Sequence, residues 1–77
     1  MQVIIWVKLT IMDLKNFGIK LAEQRQKKEL SAYELSLRIG RNPGYINRIE
    51  CGKLNVSIKS IFQICDELKI SPKELFD

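Results

Sequence analysis

Basic side chains are the groups in this sequence best suited to binding a charged partner, and they are concentrated in the middle of the chain. Residues 20–53 contain eight lysines and arginines against four acidic residues, whereas residues 54–77 contain three against four. The formal net charge of the 77 residues is +4. A local excess of positive charge favours contact with a polyanion, although the same side chains also suit a solvated surface.

The sequence lacks the groups that most catalytic and metal sites need. Histidine is absent, which removes the usual general base near neutral pH and the commonest zinc ligand. Cys51 and Cys65 do not have the Cys-x-x-Cys spacing of a metal site, and we expect both to be free, buried thiols. The sequence has no cofactor motif and no glycine-rich phosphate loop. We therefore expect no enzyme, no cofactor and no small-molecule substrate.

The first twelve residues have a strand-like pattern. Branched aliphatic residues occupy every second position from Val3 to Ile11, which is typical of a β-strand. The segment is too short to cross a bilayer as a helix, and it lacks the basic start and the cleavage site of a signal peptide. We therefore expect a cytoplasmic protein without a membrane partner.

Three interpretations of residues 1–12 remain open, because the sequence offers no second strand to pair with them. The segment could pair with its counterpart in a second copy of the chain. It could lie as an extended arm over the helices, or it could be upstream sequence without a role, translated before a start at Met12. We divide the chain into this N-terminal segment, residues 1–12, and a helical domain, residues 13–77.

Capping residues and helix breakers divide the helical domain into five helices. The predicted spans are approximately 13–28, 31–39, 43–51, 58–69 and 72–76. Asp13, Ser31, Ser57 and Ser71 are the predicted caps of four of them. For the third helix we expect Asn42 as the cap and Pro43 at the first helical position, where no N–H is needed. Gly40 and Gly52 are placed to end helices in the left-handed conformation.

Apolar residues at helical spacing predict the core. On this basis the following side chains face inward: Leu14, Phe17, Leu21, Ile46, Ile49, Ile58, Ile61, Phe62, Cys65 and Leu68. Gly18, in the middle of the first helix, lowers helix propensity and marks a close packing contact. We interpret the apolar stripes as core and not as a cofactor pocket.

Two short helices are joined by a turn that contains Gly40. Their lengths and the glycine in the turn are typical of a helix-turn-helix. The segments that carry a family resemblance are 30–35, 39–40, 45–53, 64–68 and 70–76, together with Arg25. With these residues, the chain resembles the phage repressor and Cro-like (XRE) helix-turn-helix family over residues 14–77. The resemblance implies an all-α, compact five-helix lambda-repressor-like domain, here preceded by the short N-terminal strand or arm.

The resemblance also implies roles for particular residues. It places the third helix, residues 43–51, in the major groove of DNA, and it makes Arg25 and Glu50 a structural ion pair, which suits bidentate arginine–carboxylate geometry. The implied base-reading residues are Gly44, Tyr45, Asn47 and Arg48. The candidate phosphate-binding residues, chosen by charge and position, are Arg38, Arg41, Asn42, Lys53, Asn55 and Lys59.

The base-reading positions depart from the family pattern, because Pro43 and Gly44 have no side-chain donor or acceptor. Base reading would then depend on Arg48, which can pair with guanine O6 and N7, and on Asn47, which can pair with adenine or hold a phosphate. Tyr45 could contact a thymine methyl group or a phosphate, and its alternative role is that of a packing aromatic at a dimer contact.

The sequence is compatible with two functions. The first is sequence-specific binding of double-stranded DNA by a transcriptional regulator, a repressor that acts as a homodimer on a palindromic operator. A toxin or another regulator could be a protein partner, since both antitoxins and phage regulators fit this size. The second is a protein-interaction module on the same fold, with Pro43 and Gly44 marking a lost base-reading surface.

Overall fold

The computed structural model describes residues 14–76, which form four α-helices and one 3₁₀ helix. The elements are α1 (Leu14–Lys27), α2 (Ala32–Arg38), α3 (Tyr45–Glu50), α4 (Ile58–Leu68) and the 3₁₀ helix Pro72–Leu75. The all-α class predicted from the sequence is confirmed for these residues. The predicted strand or arm at 1–12 and the predicted cap at Asp13 lie outside the described residues.

Serine caps begin three of these elements as the sequence predicts. Ser31 Oγ accepts a hydrogen bond from the backbone N–H of Glu34 at 3.0 Å. Ser57 Oγ accepts one from the N–H of Ser60 at 3.2 Å. Ser71 and Glu74 form a reciprocal capping box at the 3₁₀ helix. Each bond satisfies an N–H that has no partner within its own helix, which fixes where the element starts.

The predicted start of the third helix is wrong by two residues. Pro43 and Gly44 form a turn that the backbone N–H of Tyr45 closes by donating to Asn42 O at 3.1 Å, and α3 begins only at Tyr45. Asn42 is therefore not the cap. Gly44 occupies the cap position and offers no side-chain hydrogen bond. A backbone N–H of the first turn of α3 instead donates to a side chain of α2.

The core lies where the four α-helices and the 3₁₀ helix meet. Its buried hydrophobic side chains are Phe17, Leu21, Leu35, Tyr45, Ile46, Ile49, Ile64, Cys65, Leu68 and Leu75. Most of the predicted stripe is inward, but Ile58 and Phe62 are 60% and 58% exposed, which contradicts the prediction. Ile64, missing from the predicted stripe, is fully buried. The apolar surface of α4 is wider than the part that the core covers. Helical spacing alone therefore does not show which apolar residues of α4 are buried.

Cys51 is exposed, whereas Cys65 is buried as predicted. Cys51 lies one residue beyond α3, where the chain turns away from the core at Gly52, whose φ is +72°. The inward positions of α3 come before it, which explains why the prediction of two buried thiols fails for Cys51.

Gly18 is the point where α1 and α3 touch backbone to backbone. A Cβ built on Gly18 would lie 2.5 Å from Glu50 O and 2.6 Å from Ile49 O, closer than real Cβ atoms approach other atoms. The predicted close packing at this glycine is confirmed. Only a residue without a side chain lets the last turn of α3 rest directly on α1.

Candidate nucleic-acid interface

An ion pair between Arg25 on α1 and Glu50 holds the C-terminal end of α3. Arg25 Nε donates to Glu50 Oε2 at 2.7 Å, and Nη2 donates to Oε1 at 3.1 Å. A third donor, Nη1, bonds Leu30 O at 2.8 Å. The two side chains are only 15% and 10% exposed, and the hydrogen bond to Glu50 raises the pKa of the Arg25 guanidinium. Bidentate pairing of this kind fixes angle as well as distance.

Ser36, a fully buried residue of α2, holds the other end of α3. Its hydroxyl donates to Ala32 O at 2.8 Å and accepts from the backbone N–H of Ile46 at 3.0 Å. The carbonyl of Ser36 also accepts from the N–H of Arg41 at 2.9 Å. This one serine therefore supplies the cap that Gly44 cannot, and it ties α2, the turn and α3 together.

The outward side of α3 carries exposed residues on a single face. Gly44, Asn47 and Arg48 are all exposed, and their spacing of three and four residues places them beside one another on a helix surface. An arginine can donate two parallel hydrogen bonds to guanine, and an asparagine can do the same to adenine. The structure thus brings together three of the four residues predicted to read bases.

Tyr45 does not share that face. Its side chain is 8% exposed and belongs to the hydrophobic core. The guanidinium of Arg41 covers the ring, with Cζ 4.7 Å from the ring centroid. Tyr45 therefore has little surface to offer a base, and the sequence could not show this because the covering group comes from the preceding turn.

Two of the six candidate phosphate-binding residues already have partners. Arg41 is half-buried and its Nη2 donates to Ser60 Oγ at 2.7 Å. Arg38 pairs with Glu34 at 3.3 Å and Glu67 at 3.5 Å, but all three side chains are a third or more exposed, and such pairs contribute little. The other four candidates are exposed, namely Asn42, Lys53, Asn55 and Lys59.

Sequence reasoning missed the two buried serines that organise the interface from behind. Ser36 is 0% exposed and Ser60 is 1% exposed, and both make hydrogen bonds across elements. A signal was available, because each serine lies within a helix whose neighbouring inward positions are apolar. A small polar residue in such a position is buried with a specific partner.

Residues 14–76 contain no group of three or more side chains that could together hold a metal ion. Over the same residues, none of the helices has the length and apolar character needed to cross a membrane.

Comparison with known proteins gives consistent matches. The chain matches the helix-turn-helix family profile over residues 21–75. The crystal structure of the restriction-modification controller protein C.AhdI from Aeromonas hydrophila is similar, with a TM-score of 0.79 and 39% identity over 83% of this chain and 97% of that one.

A second similar structure is that of the clp gene regulator ClgR from Corynebacterium glutamicum. Its TM-score is 0.78, with 25% identity over 82% of this chain and 67% of that one. No curated protein sequence matches significantly. The family match covers more than half of the sequence, and the fold and site geometry agree with it. The chain belongs to the XRE-type helix-turn-helix family, and its fold is that of a DNA-binding transcriptional regulator.

Proposed function

We propose that this protein binds double-stranded DNA at a specific sequence, with α3 in the major groove and Arg48 as its main base-reading residue. The observation that carries the proposal is the exposed face of Gly44, Asn47 and Arg48 on a helix held at both ends. A rigid helix matters because base pairs are distinguished by paired hydrogen bonds of fixed geometry. Gly44 allows the backbone to approach the groove closely.

Phosphate contacts would come from the exposed basic and amide residues on either side of α3. Asn42 lies in the turn before the helix, and Lys53 and Asn55 lie in the loop after it. Lys59, in the first turn of α4, extends the same set. Contacts of this type position a protein on the duplex without reading its sequence.

A homodimer on a palindromic operator is the second part of the proposal. One small module contacts few bases, and two recognition helices separated by about 34 Å would reach successive major grooves. The exposed Ile58 and Phe62 lie one turn apart on α4 and form an apolar surface for a second copy. A groove in the protein surface beside Phe62 is lined by Asp66 and Lys69, whose opposite charges a two-fold copy can match.

The regulatory role proposed is repression of promoters that overlap the operator. The 39% identity with a restriction-modification controller protein supports a regulatory role for this chain. The position of the operator in the genome would show whether the regulated genes belong to a restriction-modification system.

Selection from a random duplex DNA pool at moderate salt tests the proposal. We expect an enriched palindrome whose half-sites are separated by about one helical turn. Retention of all sequences without enrichment, lost steeply as salt rises, would overturn it and show phosphate attraction alone. That second outcome would favour the protein-interaction function on the same fold.

Arg48→Ala tests the residue assignment within that experiment. We expect cognate affinity to fall by about 1–3 kcal/mol and the preference at one base position to relax. Lys53→Ala is the matched control: as a phosphate contact it should weaken binding to every sequence and reduce the salt slope by about one. A uniform loss in the Arg48 variant would instead make Arg48 a phosphate contact.

Phe62→Ala tests the dimer surface. Sedimentation should show a monomer at concentrations where the wild-type protein is a dimer, and binding to the full palindrome should weaken towards that of a half-site. Tyr33→Ala removes a comparably exposed aromatic residue, 61% exposed on α2, and serves as the control. Equal dimerisation of the Phe62 variant and the wild type would place the interface elsewhere.

A further inference from the structure

Arg41 is engaged by protein groups on three sides. It lies in the turn between α2 and α3, and its backbone N–H donates to Ser36 O at 2.9 Å. Its guanidinium covers the ring of Tyr45, the first residue of α3, and donates to Ser60 Oγ at 2.7 Å. The guanidinium is therefore held between the aromatic ring and the Ser60 hydroxyl.

Ser60 continues the connection into α4. It is 1% exposed, and its Oγ also accepts from the hydroxyl of Ser57 at 3.1 Å. Ser57 is the cap of α4 and accepts from the backbone N–H of Ser60 at 3.2 Å. A continuous set of contacts therefore runs from the first residue of α3, through Arg41, to the start of α4.

We propose that Arg41 is a positioning residue for base reading: it fixes the start of α3 against α4 through Tyr45 and Ser60, and it does not act as a phosphate contact. The inference deepens the proposed function and rests on it. Any shift of Tyr45 moves Gly44, Asn47 and Arg48, which share its helical turns. Because bidentate base contacts need exact placement, a small shift lowers affinity for the cognate sequence more than for others.

Lysine could replace Arg41 as a phosphate contact, but it could not replace Arg41 as a positioning residue. A phosphate contact needs mainly a positive charge, which lysine supplies. Covering an aromatic ring with a planar group while donating from its edge to a buried hydroxyl needs the guanidinium. Arg41→Lys therefore keeps the charge and removes the positioning contacts, which separates the two roles in a single variant.

The experiment measures the affinity of Arg41→Lys for the selected operator and for random duplex across a range of salt, below the melting temperature of the variant. We expect the ratio of cognate to random affinity to fall about tenfold or more, with the salt slope and the random-duplex affinity unchanged. Tyr45→Leu, which removes the ring, should lower the same ratio. The Arg41→Lys/Tyr45→Leu double variant should lower the ratio no further than the larger of the two single effects, because each change already removes the contact between the guanidinium and the ring. Tyr45→Phe, which keeps the ring, is the control and should match the wild type.

Distinct results would overturn the inference. An Arg41→Lys protein that keeps the wild-type ratio contradicts it while leaving the proposed function intact. A salt slope that falls by about one for Arg41→Ala would show a phosphate contact instead. If Arg41→Lys does not fold, Ser60→Ala removes the acceptor alone and must lower the ratio. A wild-type protein without any preferred sequence would overturn the proposed function and this inference together.

Discussion

The inner and outer faces of α3 differ in how their side chains are held. On the inner face, Ile46 and Ile49 are 0% and 1% exposed, and Glu50 is fixed by two hydrogen bonds from Arg25. On the outer face, Asn47 and Arg48 are exposed. One helix of six residues therefore carries two separate sets of requirements. Residues that keep α3 in place and residues available to a partner alternate along it.

This separation means that stability and binding can be changed independently. A substitution on the inner face should destabilise the fold, and DNA binding should be lost only as a consequence. A substitution on the outer face should change binding while the free energy of unfolding stays within about 0.5 kcal/mol, as is usual for exposed sites. Substitutions on the two faces test that division.

Gly18→Ala should produce one of the two largest losses of stability. The added Cβ would lie within 2.8 Å of three backbone atoms of α3, so α1 and α3 must separate. Alanine raises helix propensity by about 1 kcal/mol, but we expect the clash to outweigh this and leave a net loss of about 3 kcal/mol. Chemical denaturation monitored by circular dichroism measures the difference.

Gly44→Ala is the matched control for that variant. A Cβ on Gly44 would have its nearest contact, Asn42 Oδ1, at 3.9 Å, and the φ of −90° suits any residue. We expect stability close to that of the wild type, with any effect confined to DNA binding. Equal destabilisation by the two alanines would break the distinction between the inner and outer faces.

Glu50→Ala should cost about 3 kcal/mol, because it leaves a largely buried arginine without its partner. Glu34→Ala is the control, since it also removes a carboxylate partner of an arginine, here one of the two partners of Arg38. Glu34 and Arg38 are about half exposed, and such pairs are worth about 0–1 kcal/mol. Thermal unfolding measures the melting temperatures of both variants. If the Glu50 variant has the same melting temperature as the wild type, the ion pair does not have the structural role assigned to it.

Ser36→Ala should cost about 2 kcal/mol, because the N–H of Ile46 would stay buried without an acceptor. Ser31→Ala removes an exposed cap, worth about 1 kcal/mol, and provides the reference. Denaturant titration of both proteins shows which substitution lowers the free energy of unfolding more. If the Ser36 variant is no less stable than the Ser31 variant, the cap supplied from α2 does not control the start of α3.

The two cysteines extend the comparison to reactivity, with the smallest expected effect on stability. Burial raises the pKa of the Cys65 thiol, and the Glu74 carboxylate raises it further, whereas Cys51 is exposed. We expect a maleimide to label Cys51 rapidly and Cys65 only on unfolding, as read by mass spectrometry. The folded state holds the Cys65 proton more tightly than the unfolded chain does. Its contribution to stability is therefore complete below the ordinary pKa of 9.0 and is lost as pH rises through the higher folded value. Equal labelling of both thiols would contradict the burial.

Much of the fold could be predicted because its signals are local. The caps at Ser31, Ser57 and Ser71 depend on residues three positions away, and the apolar spacing of α1 depends on residues one or two turns away. Family resemblance then identified Arg25 and Glu50 as a pair, although 25 residues separate them. Local patterns therefore determined most helix boundaries and the overall class.

The errors arise where contacts from distant residues decide the outcome. Asn42 and Pro43 form a good local helix start, but the Ser36 hydroxyl on another helix satisfies α3 and moves its start to Tyr45. The Tyr45 ring is covered by Arg41, whose guanidinium is held in place by Ser60, 19 residues further along the chain. Ile58 and Phe62 have the spacing of core residues, and only the packed structure shows which edge of α4 is uncovered.

The cap that α3 receives from Ser36 also limits how this protein can be re-engineered. A six-residue helix with glycine at its cap position would not stay helical as a free peptide. Grafting residues 45–50 alone onto another scaffold would therefore transfer the side chains without their geometry. The smallest transplantable unit must also include Ser36 for one end of α3, and Arg25 and Gly18 for the other. Under the proposed function, variants that bind new DNA sequences are better sought by varying positions 44, 47 and 48 while the rest of the domain stays unchanged.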